Sequence, residues 1–310
     1  MNPAYSVVFL TTLIGAGQGL FLALCAAQLA GFGEGSAERG FLVVGAAVAL
    51  LLTGLGLVAS FFHLGRPERA WRTATMWRTS WLSREVIALP LFMAGVAAWA
   101  LALLLESPVS IYLGPAAALA CVGLFVCTAM VYASVRFLQE WASAYTLVNY
   151  TLLGLASGCT LATALAAWGA PELVAAFGRA ALLFTAAGAA SRGLSLRRNA
   201  RLRPRSTLQT AIGIRHPQIA QRAMGFMGGS FNTREFFHGR SPGALRGVKW
   251  FFLLATFALP LALLAAGLTS PSAPLLALAF GVQYLGLLAE RWFFFAQANH
   301  PQNLYYQTIS

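Results

Sequence analysis

His63, Arg66 and Glu85 stand on either side of one break between two apolar runs. The first run passes through Ala59-Ser60-Phe61-Phe62 into His63-Leu64-Gly65-Arg66-Pro67-Glu68-Arg69-Ala70-Trp71. The polar stretch continues past Trp77 and Trp81 to Ser83-Arg84-Glu85, where the next run begins. A histidine that closes one membrane helix and a glutamate that opens the next are brought to a common depth by so short a connection. Ionisable groups at that depth are costly to bury, which makes them functional candidates. Histidine exchanges a proton near neutral pH and a carboxylate relays one. Arg66 follows His63 by one helical turn if the helix continues, and its charge would be an electrostatic aid. A quinone needs that equipment: a donor for its carbonyl, a route for protons, and contact with the lipid that holds its tail. The competing reading makes His63 and Glu85 plain helix ends and the tryptophans an interfacial belt.

The elements that must position these groups follow from composition. The 310 residues are 58% hydrophobic and 10% charged, against about 25% charged residues in soluble domains. About 20 apolar residues in a helix cross a hydrocarbon core. Eight stretches meet that length: 6–31, 41–62, 86–105, 113–135, 148–168, 173–190, 248–268 and 274–296. The expected fold is therefore all-α, a polytopic bundle of eight transmembrane helices forming one domain over 1–310, with a basic loop at 191–247. The sixth stretch is interrupted by Arg179. Glycines recur within the spans, as at Gly15, Gly17 and Gly19 or Gly54 and Gly56, where small residues let membrane helices approach closely. Cys25, Cys121, Cys127 and Cys159 fall inside spans without a CxxC, which reads as packing cysteine. The N-terminus shows no charged region followed by a short apolar stretch and a cleavage site, so the first helix is expected to stay.

Charge then sets the orientation. All nine acids are glutamates, and 20 of the 21 bases are arginine, with Lys249 the exception. With eight spans, one side holds both termini, the connections near 63–85 and 136–147, and the loop 191–247; every basic residue except Arg39 and Arg179 falls there. By the positive-inside tendency that side, and both termini, are cytoplasmic. The run Arg192, Arg197, Arg198, Arg201, Arg203 and Arg205 reads as a topology determinant and anionic-lipid contact, and equally as a docking surface for a soluble partner. Arg69 and Arg72 belong to the same surface. A loop between two spans offers no nucleic-acid recognition fold. His216 and His238 lie in the loop and His63 and His300 at span ends, which disfavours a haem held between facing histidines. A secondary transporter stays open as a different class, although paired broken helices are not evident.

The stretch VASFFHLGRPERAWRTATMWRTSWLSREVIALPLF resembles the signature of the membrane anchor subunits of the dimethyl sulfoxide reductase family, whose second span runs into histidine-leucine-glycine and whose third opens on serine-x-glutamate. Chain length, eight spans and the late LLAERWFFFAQ with Glu290 and Arg291 agree with it. The resemblance implies an anchor without a catalytic metal. Such an anchor tethers a molybdopterin catalytic subunit and an iron–sulfur subunit and exchanges electrons with ubiquinone or menaquinone in the bacterial inner membrane. It also implies that the family's quinone-site histidine and glutamate are His63 and Glu85. In the respiratory reductases the soluble subunits face outward, whereas here the matching motif lies on the Arg-rich side. The opening NPAYSVVFLTTLIGAGQG and the ending FFAQANHPQNLYY are similar to a cytoplasm-facing, sulfite-oxidising branch, which implies sulfite as the partner's substrate and quinone as acceptor. A terminal reductase that oxidises quinol is the alternative. A reporter active only in the cytoplasm, inserted near Arg203 or fused at Ser310, is expected to be active; activity of an export-dependent reporter at either place would reverse the orientation.

Overall fold

The computed structural model describes residues 1–220, 238–270 and 272–301. Among the described residues eight helices are long and apolar enough to cross a membrane: α1 (Tyr5–Leu29), α2 (Ser36–Phe61), α3 (Trp81–Leu104), α4 (Ser110–Ala133), α5 (Ala144–Gly169), α6 (Pro171–Asn199), α7 (Pro242–Thr269) and α8 (Ala273–Ala296). All-α architecture and eight spans agree with the sequence reading. Part of the basic loop, with Arg222, Arg234 and Glu235, and the C-terminal Ser310 lie outside the described residues.

Two boundaries differ most from those read from hydropathy. Helix α6 continues through 191–199, a stretch expected to be loop, because Arg192 is buried against a carboxylate of α8 instead of leaving for water. Helix α7 starts at Pro242, since Ser241 Oγ accepts the Ala244 N–H at 3.2 Å and proline suits the first helical position. The helix bearing His63 does not continue. It ends at Phe61, and Arg66 has extended backbone at φ −143°, ahead of a 3-10 helix over Pro67–Met76. Arg66 is therefore not a helical turn beyond His63, because Pro67 has no N–H and the residue before a proline avoids the α region.

Helices α1 and α5 form the centre of the bundle. Their backbones touch where Gly19 faces Gly154 and Gly158, and a Cβ on Gly158 would run into the Gly19 carbonyl carbon and the Leu20 nitrogen. Without a hydrophobic force between helices in lipid, this close approach is what yields dispersion contact. Polar side chains then lock the neighbours. Gln18 Nε2 donates to the Cys121 carbonyl on α4 at 3.0 Å. Gln28 accepts from Trp99 Nε1 of α3 at 2.7 Å and donates to Ser110 Oγ at 3.0 Å.

Helix α7 carries a π turn over Leu254–Ala258, followed by Pro260. Proline cannot donate to the carbonyl four residues back, that of Thr256. Gln283 Nε2 of α8 donates to that carbonyl at 3.3 Å and to Thr185 Oγ1 of α6 at 3.0 Å, so three helices share one amide. The chain ends of the bundle meet too: the Met1 ammonium donates to the Ala298 carbonyl at 2.8 Å, just beyond α8. Gly158→Val is expected to lower stability by about 3 kcal/mol or more by parting α1 from α5. Gly123→Ala, which faces open space, should be neutral or stabilising by up to about 1 kcal/mol. Thermal unfolding of both variants in one detergent checks the contrast.

Candidate functional site

Helix α3 begins at a capped turn, with the Ser83 N–H donating to Ser80 Oγ at 3.3 Å. Arg84 folds back from there. Its Nε donates to the Trp77 carbonyl at 2.9 Å, its Nη2 to the Arg78 carbonyl at 2.8 Å, and its guanidinium lies 4.3 Å from the Trp81 ring centre. Arg84 thereby fastens the 3-10 segment to the start of α3 and leaves the next residue, Glu85, aimed into the bundle. Glu85 is half-buried, and Thr128 Oγ1 of α4 donates to its Oε1 at 2.7 Å. Behind the carboxylate lies a cavity of about 20 Å³, lined also by Gln18, Thr128, Tyr150 and Arg291. A cavity of that size with several polar walls holds about one water.

Across this cavity sits a cluster of buried charges. Arg192 Nε lies 2.7 Å from Glu290 Oε1, and Arg291 Nη2 lies 3.8 Å from Glu290 Oε2. Arg192 is 1% exposed, Glu290 1% and Arg291 4%. The Arg291 guanidinium stands 3.7 Å above the Tyr150 ring, so it joins the ion cluster to the cavity wall. Two guanidiniums against one carboxylate leave an excess positive charge, and Arg291 and Glu85 both contribute to the lining of the cavity. Desolvating three such groups is expensive even when they are paired. An aromatic collar surrounds them: Tyr132 stacks on Tyr150 at 5.6 Å, and Trp141 Nε1 donates to the Phe294 carbonyl at 3.0 Å.

His63 lies outside this interior. Its ring is exposed, and no hydrogen bond or ion pair joins it to Glu85 or Arg66. Partial burial holds its pKa below the ordinary histidine value, so the ring is neutral at pH 7, with one nitrogen donating and one accepting. Arg66, Arg69 and Arg72 are exposed along the same rim; Arg69 approaches Glu68 at 3.9 Å and Arg72 packs 5.5 Å from the Trp71 ring centre. Arg197 is exposed, but Arg198 is committed within the chain. Its Nη atoms donate to the Gln139 carbonyl at 3.1 and 3.0 Å and to Asn199 Oδ1 at 2.9 Å. Arg198 thus clamps the end of α6 to the α4–α5 connection. Among the described residues no three His, Cys or Glu side chains gather as metal ligands.

The sequence reading did not single out Thr128 or Tyr150, and it placed Arg192 in a loop. One signal was present: Arg192 lies only two residues beyond an apolar run, and Glu290 and Arg291 interrupt another.

Eight apolar helices with a buried arginine–glutamate cluster at one end define a polytopic membrane protein. Residues 1–227 match the DMSO reductase anchor subunit (DmsC) family, and the chain belongs to that family. It is also 52% identical over 326 aligned residues to a sulfite dehydrogenase subunit of Allochromatium vinosum, with 100% of each chain covered. Membership makes the chain the anchor subunit of a DMSO reductase-family complex, which implies catalytic and electron-transfer partners. Glu290→Gln, which leaves two buried arginines without their carboxylate, is expected to cost about 3–5 kcal/mol of stability. Glu68→Gln at the exposed rim should change stability by less than about 0.5 kcal/mol. Parallel melting curves of the two variants read this out.

Proposed function

We propose that this anchor joins an iron–sulfur electron-transfer subunit and a molybdopterin catalytic subunit, and passes electrons from the iron–sulfur subunit to ubiquinone or menaquinone in the bacterial inner membrane. The observation that carries the reading is Glu85: a half-buried carboxylate near the start of α3 that is hydrogen-bonded to Thr128 and backed by a water-sized polar cavity. In this reading the quinone ring lies outside Glu85, on the His63 side, since the cavity behind the carboxylate has room for water and not for a ring. When bound, the quinone supplies the redox chemistry.

The chain's own groups do the rest. The neutral His63 ring offers an N–H to a carbonyl. Glu85 Oε1 is occupied by the Thr128 hydroxyl, which leaves Oε2 to take a proton from the cavity side and release it outward. Arg291 keeps positive charge beside the cavity, so arrival of negative charge at the site is favoured. Arg69, Arg72 and Arg197 present exposed guanidiniums that suit carboxylates of a docking iron–sulfur subunit. The catalytic partner's substrate is sulfite in this reading, supported by the full-length likeness to a sulfite dehydrogenase subunit. The Arg-rich end, with both termini, faces the cytoplasm by the positive-inside tendency.

His63→Leu in the assembled complex is expected to slow sulfite-driven quinone reduction at least about tenfold, with sulfite oxidation by an artificial soluble acceptor unchanged. Glu85→Gln should lower turnover more than it raises the quinone KM, because the shape survives while the titrating group is lost. Unchanged quinone reduction in His63→Leu would sink the proposal, and an equal loss with both acceptors would reassign His63 to structure.

A further inference from the structure

We propose that the crevice between the α5–α6 turn and the α7–α8 hairpin is a binding site for a phospholipid of the leaflet opposite the Arg-rich end, with its phosphate on Arg179. Among the described residues Arg39 and Arg179 are the two basic residues at that end of the bundle. Arg39 is provided for: its Nη2 meets Glu106 Oε1 at 2.7 Å. Arg179 is not. Its Nε donates to the Ala175 carbonyl at 3.1 Å, and among the described residues its terminal nitrogens have no hydrogen bond or ion pair. Glu172, the acid in the first turn of the same helix, forms no ion pair with it.

Position makes an unanswered charge costly. Arg179 lies eight residues beyond Pro171, about 12 Å along the axis, on an exposed face of a spanning helix. A guanidinium at that depth needs an anion or a path back to the interface, and its long stem reaches toward the headgroups. The space beside it has the right polarity. A crevice of about 410 Å³ is walled by Ala167, Val174, Leu268 and Leu276, with Arg179 and Ser272 as its polar members. An apolar trough with one cation and one hydroxyl matches an amphiphile whose acyl chain follows the trough and whose phosphate takes the forked guanidinium donors. Water alone would leave the apolar wall wetted, and a soluble anion would leave it empty. This assignment is independent of the quinone reading, since it lies at the other end of the bundle.

The test uses the full chain in nanodiscs of phosphatidylcholine with a minor share of phosphatidylglycerol, then a delipidating detergent wash and native mass spectrometry. The wild type is expected to retain one phosphatidylglycerol per chain. Arg179→Gln should lower that retention roughly tenfold, the scale of a lost charge-assisted hydrogen bond, and Arg179→Lys should keep most of it. Ala175→Leu, which fills the crevice and leaves the arginine in place, should lower retention as Arg179→Gln does; it decides the matter if the glutamine variant is not monodisperse. Retention in Arg179→Gln equal to the wild type, no retained lipid in the wild type, or displacement by millimolar inorganic phosphate would each overturn the site.

Discussion

Hydrocarbon offers no hydrogen bonds, so a polar group within this bundle is costly unless another part of the chain answers it. The carbonyl released by Pro260 is answered by Gln283, the Gln18 amide by a carbonyl of α4, and Arg192 by Glu290. These bonds tie α7 to α8, α1 to α4 and α6 to α8, and leave little freedom in how α6, α7 and α8 are placed around the α1–α5 centre. Helix α8 carries most of this duty. One of its faces holds Gln283, Glu290 and Arg291, and each is at most 4% exposed. A helix with that face cannot be turned toward lipid, which fixes its rotation and with it the position of Arg291 at the cavity wall.

The spans were legible because crossing a membrane is a one-dimensional requirement of length and hydropathy. The glycine seams were legible for a related reason: Gly17 and Gly56 do meet neighbouring helices at close range, although Gly54 touches only the tip of Met93. What a linear reading lost were groups whose role depends on a partner far along the chain. Arg192 looks like the first residue of a basic loop until Glu290, on another helix, is seen to neutralise it. Thr128 and Tyr150 are ordinary members of apolar runs, and only the fold turns them toward Glu85 and Arg291. The one-turn spacing of Arg66 from His63 depended on the helix continuing, and the chain leaves the helix before the proline that follows Arg66.

The site has two layers of different character. On the outer layer His63, Arg66, Arg69 and Arg72 are exposed and make few contacts within the chain, so their surroundings are supplied by lipid and by whatever docks. On the inner layer Glu85, Tyr150, Arg291 and Glu290 are held by packing and ion pairs, so their geometry is set before any partner arrives. Glu85 is the residue common to both, because its helix starts at the rim and its carboxylate points inward. Arg84 makes that division of labour workable by tying down the connection through two backbone carbonyls and an aromatic ring.

The α1–α5 seam also has a meaning for how the chain is made. Gly15 and Gly19 belong to α1, and Gly154 and Gly158 to α5, separated along the chain by three other spans. Until that fifth helix arrives, α1 presents an incomplete, glycine-lined stripe to lipid, held only by its earlier neighbours. The central contact therefore needs both ends of a five-helix stretch, and a segment holding only α1 to α4 is an unfinished object with a groove along its middle.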